Sequence, residues 1–146
     1  MLWGKEKYMK IIVAAAVAWF IAQVLKLIIS FVENKTIDWS LVTASGGMPS
    51  SHTSFVIAAT TMIGRVEGME SSIFALGVVL SLVVMYDAVN VRRAVGHMGQ
   101  TLNEIINNIN RTGKLNVQNV KEILGHTPLQ VAAGFVLGVA VGFLMF

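Results

Sequence analysis

The chain has 146 residues, 55% of them hydrophobic and only 13% charged, with a formal net charge of +3, and its mean hydropathy is +0.69. That balance excludes an ordinary soluble domain and predicts a single all-α membrane domain. The absence of cysteine excludes a disulfide and a thiolate metal site, and the modest positive charge, without a basic-aromatic pattern, favours anionic lipid over nucleic acid as partner.

A bilayer-spanning helix needs about 20 apolar residues. Four segments are read as spans, over residues 11–32, 53–64, 72–91 and 128–146, the second of them short. The first follows Lys5, Lys7 and Lys10 as a signal peptide would, but it is long enough to span and carries Lys26 near its far end, so it reads as an uncleaved anchor. Ahead of the second lies Gly46-Gly47-Met48-Pro49-Ser50-Ser51-His52-Thr53. Its glycines and proline hold the chain out of helix until Ser50, which is placed to cap the helix that follows, and free backbone N–H groups at such a start suit an anion. The same residues also read as a plain helix cap with a histidine in the first turn.

The third segment carries Tyr86 and Asp87 near its end, and residues 92–125 are too polar to cross. Leu102, Ile105, Ile106 and Ile109 recur at helical spacing, so this stretch is expected to prolong the third helix as far as Thr112-Gly113, with a short helix over 116–124 ending at Gly125. In the last segment Gly134, Gly138 and Gly142 recur every four residues and permit close helix approach, within the chain or across a homodimer. The eight methionines read as core filler.

If each segment crosses once, the end of the first and third and the start of the second and fourth share one membrane face. Lys26, Ser50, His52, Asp87, Arg92, Arg93 and His126 then converge there. Charges inside spans are costly, and a functional cavity is their usual reason. Taken singly, Lys26 also reads as snorkelling to the interface, and Arg92 and Arg93 as interfacial anchors.

Pro49-Ser50-Ser51-His52 is similar to the Pro-Ser-Gly-His signature of the type 2 phosphatidic acid phosphatase superfamily, which includes lipid phosphatases and vanadium haloperoxidases. Tyr86-Asp87-Ala88-Val89-Asn90-Val91-Arg92-Arg93, followed by Gly125-His126-Thr127-Pro128-Leu129-Gln130-Val131, resembles the divergent branch of that superfamily. The resemblance implies the last four helices of a six-helix core, with His126 as the nucleophile that forms a phosphohistidine and His52 as general acid. It implies that Lys26, Ser50, Ser51, Arg92 and Arg93 hold the phosphate, and it requires no metal or other cofactor. The chain departs from the pattern in four places. A lysine followed six residues later by Arg-Pro is absent, so only Lys26 is a candidate for that motif. Ser51 replaces the signature glycine, the arginines lie far upstream of His126, and Gln130 stands where an aspartate is expected. Glutamine accepts a hydrogen bond from an imidazole but cannot stabilise an imidazolium as a carboxylate does, which leaves Asp87 as a substitute.

The chemistry agrees with the resemblance. Phosphate monoester hydrolysis needs cations to hold the dianion, an in-line nucleophile and an acid for the leaving oxygen. A metal site built from His52, His97, His126 and Asp87 is disfavoured by the arginines around it, and His97 reads as polar surface. The reading is therefore a phosphatase acting on a membrane lipid phosphate or pyrophosphate. Its rivals are a non-catalytic binder or mover of anionic lipid and a structural subunit of a membrane complex. The lysines before the first span favour a cytoplasmic N-terminus, with the motifs on the outer face.

Overall fold

Alanine at every fourth position sets the packing of the first helix. The computed structural model describes residues 3–37, 39–42, 46–111 and 125–145, and regular structure among them is helical throughout. In α1 (Trp3–Asn34) the residues Ala14, Ala18 and Ala22 form a buried stripe that continues through Lys26 and Ser30. Residues four apart lie on one helical face, so the stripe that brings a neighbouring helix close also carries Lys26 into the interior.

α2 (Ser51–Glu67) is the central helix. Ser50 caps it as expected, its Oγ accepting the Thr53 N–H at 3.4 Å, and Gly68 ends it in a left-handed conformation, φ +89°. α3 (Ser72–Tyr86) starts from the Ser71 cap. A five-residue π turn, Asp87–Val91, then leads without a break into α4 (Arg92–Arg111). The expected prolongation of the third helix is thus present, although the wide turn within it was not foreseen. The expected break at Thr112-Gly113 and helix over 116–124 lie outside the described residues. α5 (Pro128–Leu144) begins with proline in its first turn after the Thr127 cap.

α1 runs antiparallel to α2, with Lys7 Nζ 3.2 Å from Glu67 Oε2 at one end and Lys26 Nζ donating to Ser51 Oγ at 3.1 Å toward the other. α5 runs parallel to α2. The Ser50 N–H donates to the Gln130 carbonyl at 3.0 Å where both helices begin, and Arg65 donates to the Gly142, Phe143 and Met145 carbonyls at 2.9, 3.1 and 2.7 Å where α5 ends. These carbonyls have no intrahelical partner, so a guanidinium there satisfies groups that would otherwise cost energy away from water.

The glycine face of α5 is occupied within the chain. A Cβ added at Gly134 would lie 2.5 Å from the Ser50 carbonyl oxygen, at Gly138 2.7 Å from Ile57 Cβ, and at Gly142 2.6 Å from Thr61 Cβ. Of the two uses expected for this stripe, close packing inside the chain is the one seen, and α2 leaves no room there for a second copy.

α3 has an inverted pattern. Its buried positions are Gly77 and Ser81, with Ser81 Oγ 3.0 Å from Thr60 Oγ1, while Leu76, Val79, Leu80, Leu82 and Val83 face outward. Small and hydroxylated residues inside, large apolar residues outside, is the arrangement of a helix whose solvent is lipid. α1 and the continuous helix of residues 72–111 are each long and apolar enough to cross a membrane, whereas α2 and α5 have 17 residues each.

Candidate functional site

Two helix starts and one wide turn build the site. α2 and α5 begin side by side, so their unpaired N–H groups and positive dipole ends meet at one surface. The π turn closes a third side. Its Ala88 carbonyl accepts the His126 N–H at 3.0 Å, which fixes the approach to α5 against the end of α3. In an α-helix, residues five apart point about 140° away from each other. The extra residue in the π turn brings Asp87 and Arg92 onto one side instead, and Arg92 Nε donates to Asp87 Oδ2 at 3.0 Å.

A cavity of about 300 Å³ lies among these elements, lined by His52, Val83, Val84, Asp87, Ala88, Arg92 and His126. Four of the nine residues named from the sequence thus share one wall. Lys26, Ser50, Ser51 and Gln130 stand behind it. Ser50 holds the start of α2, with Thr53 Oγ1 donating to its Oγ at 3.0 Å. Lys26 is 3% exposed and bound to Ser51, so it does not snorkel to the interface. The serine at the signature glycine position supplies that lysine with its acceptor. Arg93 lies in α4 beside Arg92, and its side chain is outside the described residues. His97 is exposed, as expected of polar surface.

His126 is 1% exposed, and its protonation is set by a neighbour that looks merely structural. Thr127 and Gln130 form a reciprocal capping box. Thr127 Oγ1 accepts the Gln130 N–H at 3.3 Å, while Gln130 Oε1 accepts the Thr127 N–H at 3.1 Å. A backbone N–H can only donate, so the amide atom it meets must be the oxygen. That same oxygen is 3.1 Å from His126 Nδ1. Nδ1 must therefore carry the proton, and Nε2 carries the lone pair. Nε2 is buried and has no hydrogen-bond partner among the described residues. Gln130 thus accepts the imidazole N–H as expected, and because the cap holds its oxygen in place it also fixes the tautomer, without supplying charge. Asp87, considered as the substitute, gives its carboxylate to Arg92 instead.

His126 titrates below the usual histidine value. Burial lowers His126 most, and Lys26, His52 and Arg92 add to this, against the Gln130 hydrogen bond that raises it. At neutral pH the ring of His126 is uncharged.

Sequence reasoning missed Thr127 and the Ala88 carbonyl. Thr127 was legible as the first residue of a Thr-x-x-Gln capping box, whereas nothing in the residue pattern signals a π turn. It also missed an apolar groove of about 330 Å³ lined by Trp19, His52, Phe55, Val56 and Val84, which shares His52 and Val84 with the first cavity.

The family model described as the divergent PAP2 family matches residues 8–141. The chain belongs to the divergent PAP2 family. It is 36% identical over 129 residues to the uncharacterized membrane protein YuiD of Bacillus subtilis (strain 168), a match covering 81% of this chain and 82% of that relative. No solved structure matches the chain. Family membership covers the segments that carry His52, Arg92 and His126, and the relative's description as a membrane protein accords with the outward-facing apolar residues of α3.

Proposed function

We propose that this protein is a metal-independent lipid phosphate phosphatase with four membrane spans, α1, α2, α3 and α5, and its site at one membrane surface. The observation that carries the reading is His126 Nε2, a buried, unpaired nitrogen of fixed tautomer in a cavity with Arg92 and a second histidine. Arg92, backed by Lys26 and the starts of α2 and α5, holds the phosphoryl oxygens. Nε2 attacks phosphorus and the bond to the lipid oxygen breaks, with protonated His52 donating a proton to that oxygen. Neutral His52 then takes a proton from water, whose oxygen attacks the phosphohistidine and releases inorganic phosphate and the free imidazole of His126.

The groove beside His52 supports an amphiphilic substrate. It joins the first cavity at His52 and Val84 and is walled by Trp19 and Phe55, so a phosphate beside Arg92 and His126 leaves a chain free to lie along α1 and α2. Phosphatidic acid, phosphatidylglycerophosphate and a polyprenyl pyrophosphate share that form. The deciding experiment measures phosphate release from such a panel by purified protein, with trapping of an acid-labile phosphoenzyme. Release by the wild type, lost together with the labelled intermediate in His126→Ala, is expected. Anion binding without turnover on any substrate would favour the rival reading, a non-catalytic binder of anionic lipid. That rival draws on Gln130 in place of a carboxylate.

A further inference from the structure

Asp87 is a carboxylate on the wall of a cavity read as a phosphate site, and its presence there needs a reason. Asp87 and a bound phosphate repel one another, so charge alone argues against a carboxylate on this wall. Stability does not supply the reason. The side chains of Asp87 and Arg92 are 43% and 38% exposed, and an ion pair that open adds little to the fold.

The geometry of the pair does. Asp87 and Arg92 are tied twice across the π turn: the Arg92 backbone N–H donates to the Asp87 carbonyl, and Arg92 Nε donates to Asp87 Oδ2 at 3.0 Å. The first bond belongs to the wide turn itself, and without that turn the second could not form, because five residues along an α-helix leave side chains about 140° apart. A guanidinium carries its N–H donors in one rigid plane. With Nε engaged, those on Nη1 and Nη2 have no partner among the described residues, and they form the end of the fork that fits two phosphate oxygens. Arginine is among the side chains with most rotamer freedom to lose. One already held at Nε therefore receives an anion at a smaller entropic cost.

We infer that Asp87 is a positioning residue for phosphate binding that acts through Arg92, holding the guanidinium by Nε and leaving its Nη edge for the ligand. The inference rests on the phosphate site proposed above and gives Asp87 no contact with the substrate. The sign of one substitution separates position from charge. If Asp87 acted on phosphate by its charge alone, Asp87→Leu would tighten binding. Acting through Arg92, the same change should raise the dissociation constant of inorganic phosphate about three-fold or more, measured on the detergent-purified full chain from the saturation of its thermal midpoint. Asp87→Asn, which keeps an acceptor for Nε, should bind more tightly than Asp87→Leu. In an Arg92→Gln background, with no guanidinium to hold, Asp87→Leu should cause no weakening. Asp87→Ala makes the same comparison where the leucine variant does not fold. Wild-type protein that phosphate does not stabilise would remove the site itself, and this inference with it. If the wild type binds phosphate and Asp87→Leu binds it as tightly or more so, the positioning role alone is overturned. An equal weakening in both backgrounds, or an asparagine variant no better than the leucine one, overturns it too.

Discussion

Gln130 does two jobs with one oxygen, and the two can be separated by substitution. Glutamate at the same position retains the capping box, because a carboxylate accepts the Thr127 N–H equally well. It also turns the contact with His126 Nδ1 into a charge-assisted hydrogen bond that strengthens as the ring gains positive character. Such bonds exceed neutral ones by about 1 kcal/mol, so Gln130→Glu should raise phosphate release about five-fold with no loss of thermal stability. Gln130→Leu should lower both, because it removes the cap and frees the tautomer. His126 also predicts a pH profile. Since His126 titrates below the usual value of about 6.5 and must be neutral to attack, the acid limb of kcat/KM should lie below pH 6.5. Lys26 offers the complementary test. It is a buried cation whose hydrogen bond goes to a neutral hydroxyl, so Lys26→Met should leave stability equal or higher while weakening anion binding.

Among the elements, α2 and α5 depend on closeness, and glycine is what allows it. Gly138→Leu forces a side chain into the Ile57 side chain and the Ser54 carbonyl, where even a Cβ would approach to 2.7 and 2.8 Å. It should cost about 2 kcal/mol or more, read as a lower thermal midpoint, and should open the gap between the helix starts that aligns Ser50 with Gln130. A substitution of equal size at outward-facing Val136 should be silent. The sequence revealed the apolar segments, the cap at Ser50 and the meeting of their ends, because hydrophobic length and capping chemistry are local properties, and the same local chemistry would have given the Thr127 cap that was passed over. It left the use of the glycine stripe open, since a small-residue face looks the same whether a neighbouring helix or a second chain fills it. The π turn was invisible for a related reason. Residues 86–93 fit an ordinary helix by composition, and only the tertiary bond from the His126 N–H to the Ala88 carbonyl accompanies the extra residue. Asp87 was therefore legible as a site residue but not as the partner of Arg92.

At the scale of the whole molecule, the candidate site is a junction to which every apolar helix contributes. Lys26 comes from α1, the Ser50 cap and His52 from the start of α2, Arg92 from the end of the third helix through the π turn, and His126 from the approach to α5. A tetrahedral oxyanion bound there contacts groups that are separated in the unfolded chain, so its binding energy adds to the stability of the whole fold. For a ligand at about 100 times its dissociation constant the gain is about 2.7 kcal/mol, a shift of several degrees in the thermal midpoint of a chain this size. Vanadate and phosphate should therefore raise the midpoint of detergent-purified protein in a saturable way, beyond an equal ionic strength of chloride. The same shift should be much reduced in Arg92→Gln and in Lys26→Met, the second of which separates lost binding from lost folding. His126→Ala should retain part of the shift with phosphate, since the cations remain, but lose most of the added affinity for vanadate if Nε2 bonds to the metal centre as it would to phosphorus. Equal midpoints in chloride and vanadate across a wide concentration range would mean that the convergent charges serve the fold alone, and the phosphatase reading would fall with them.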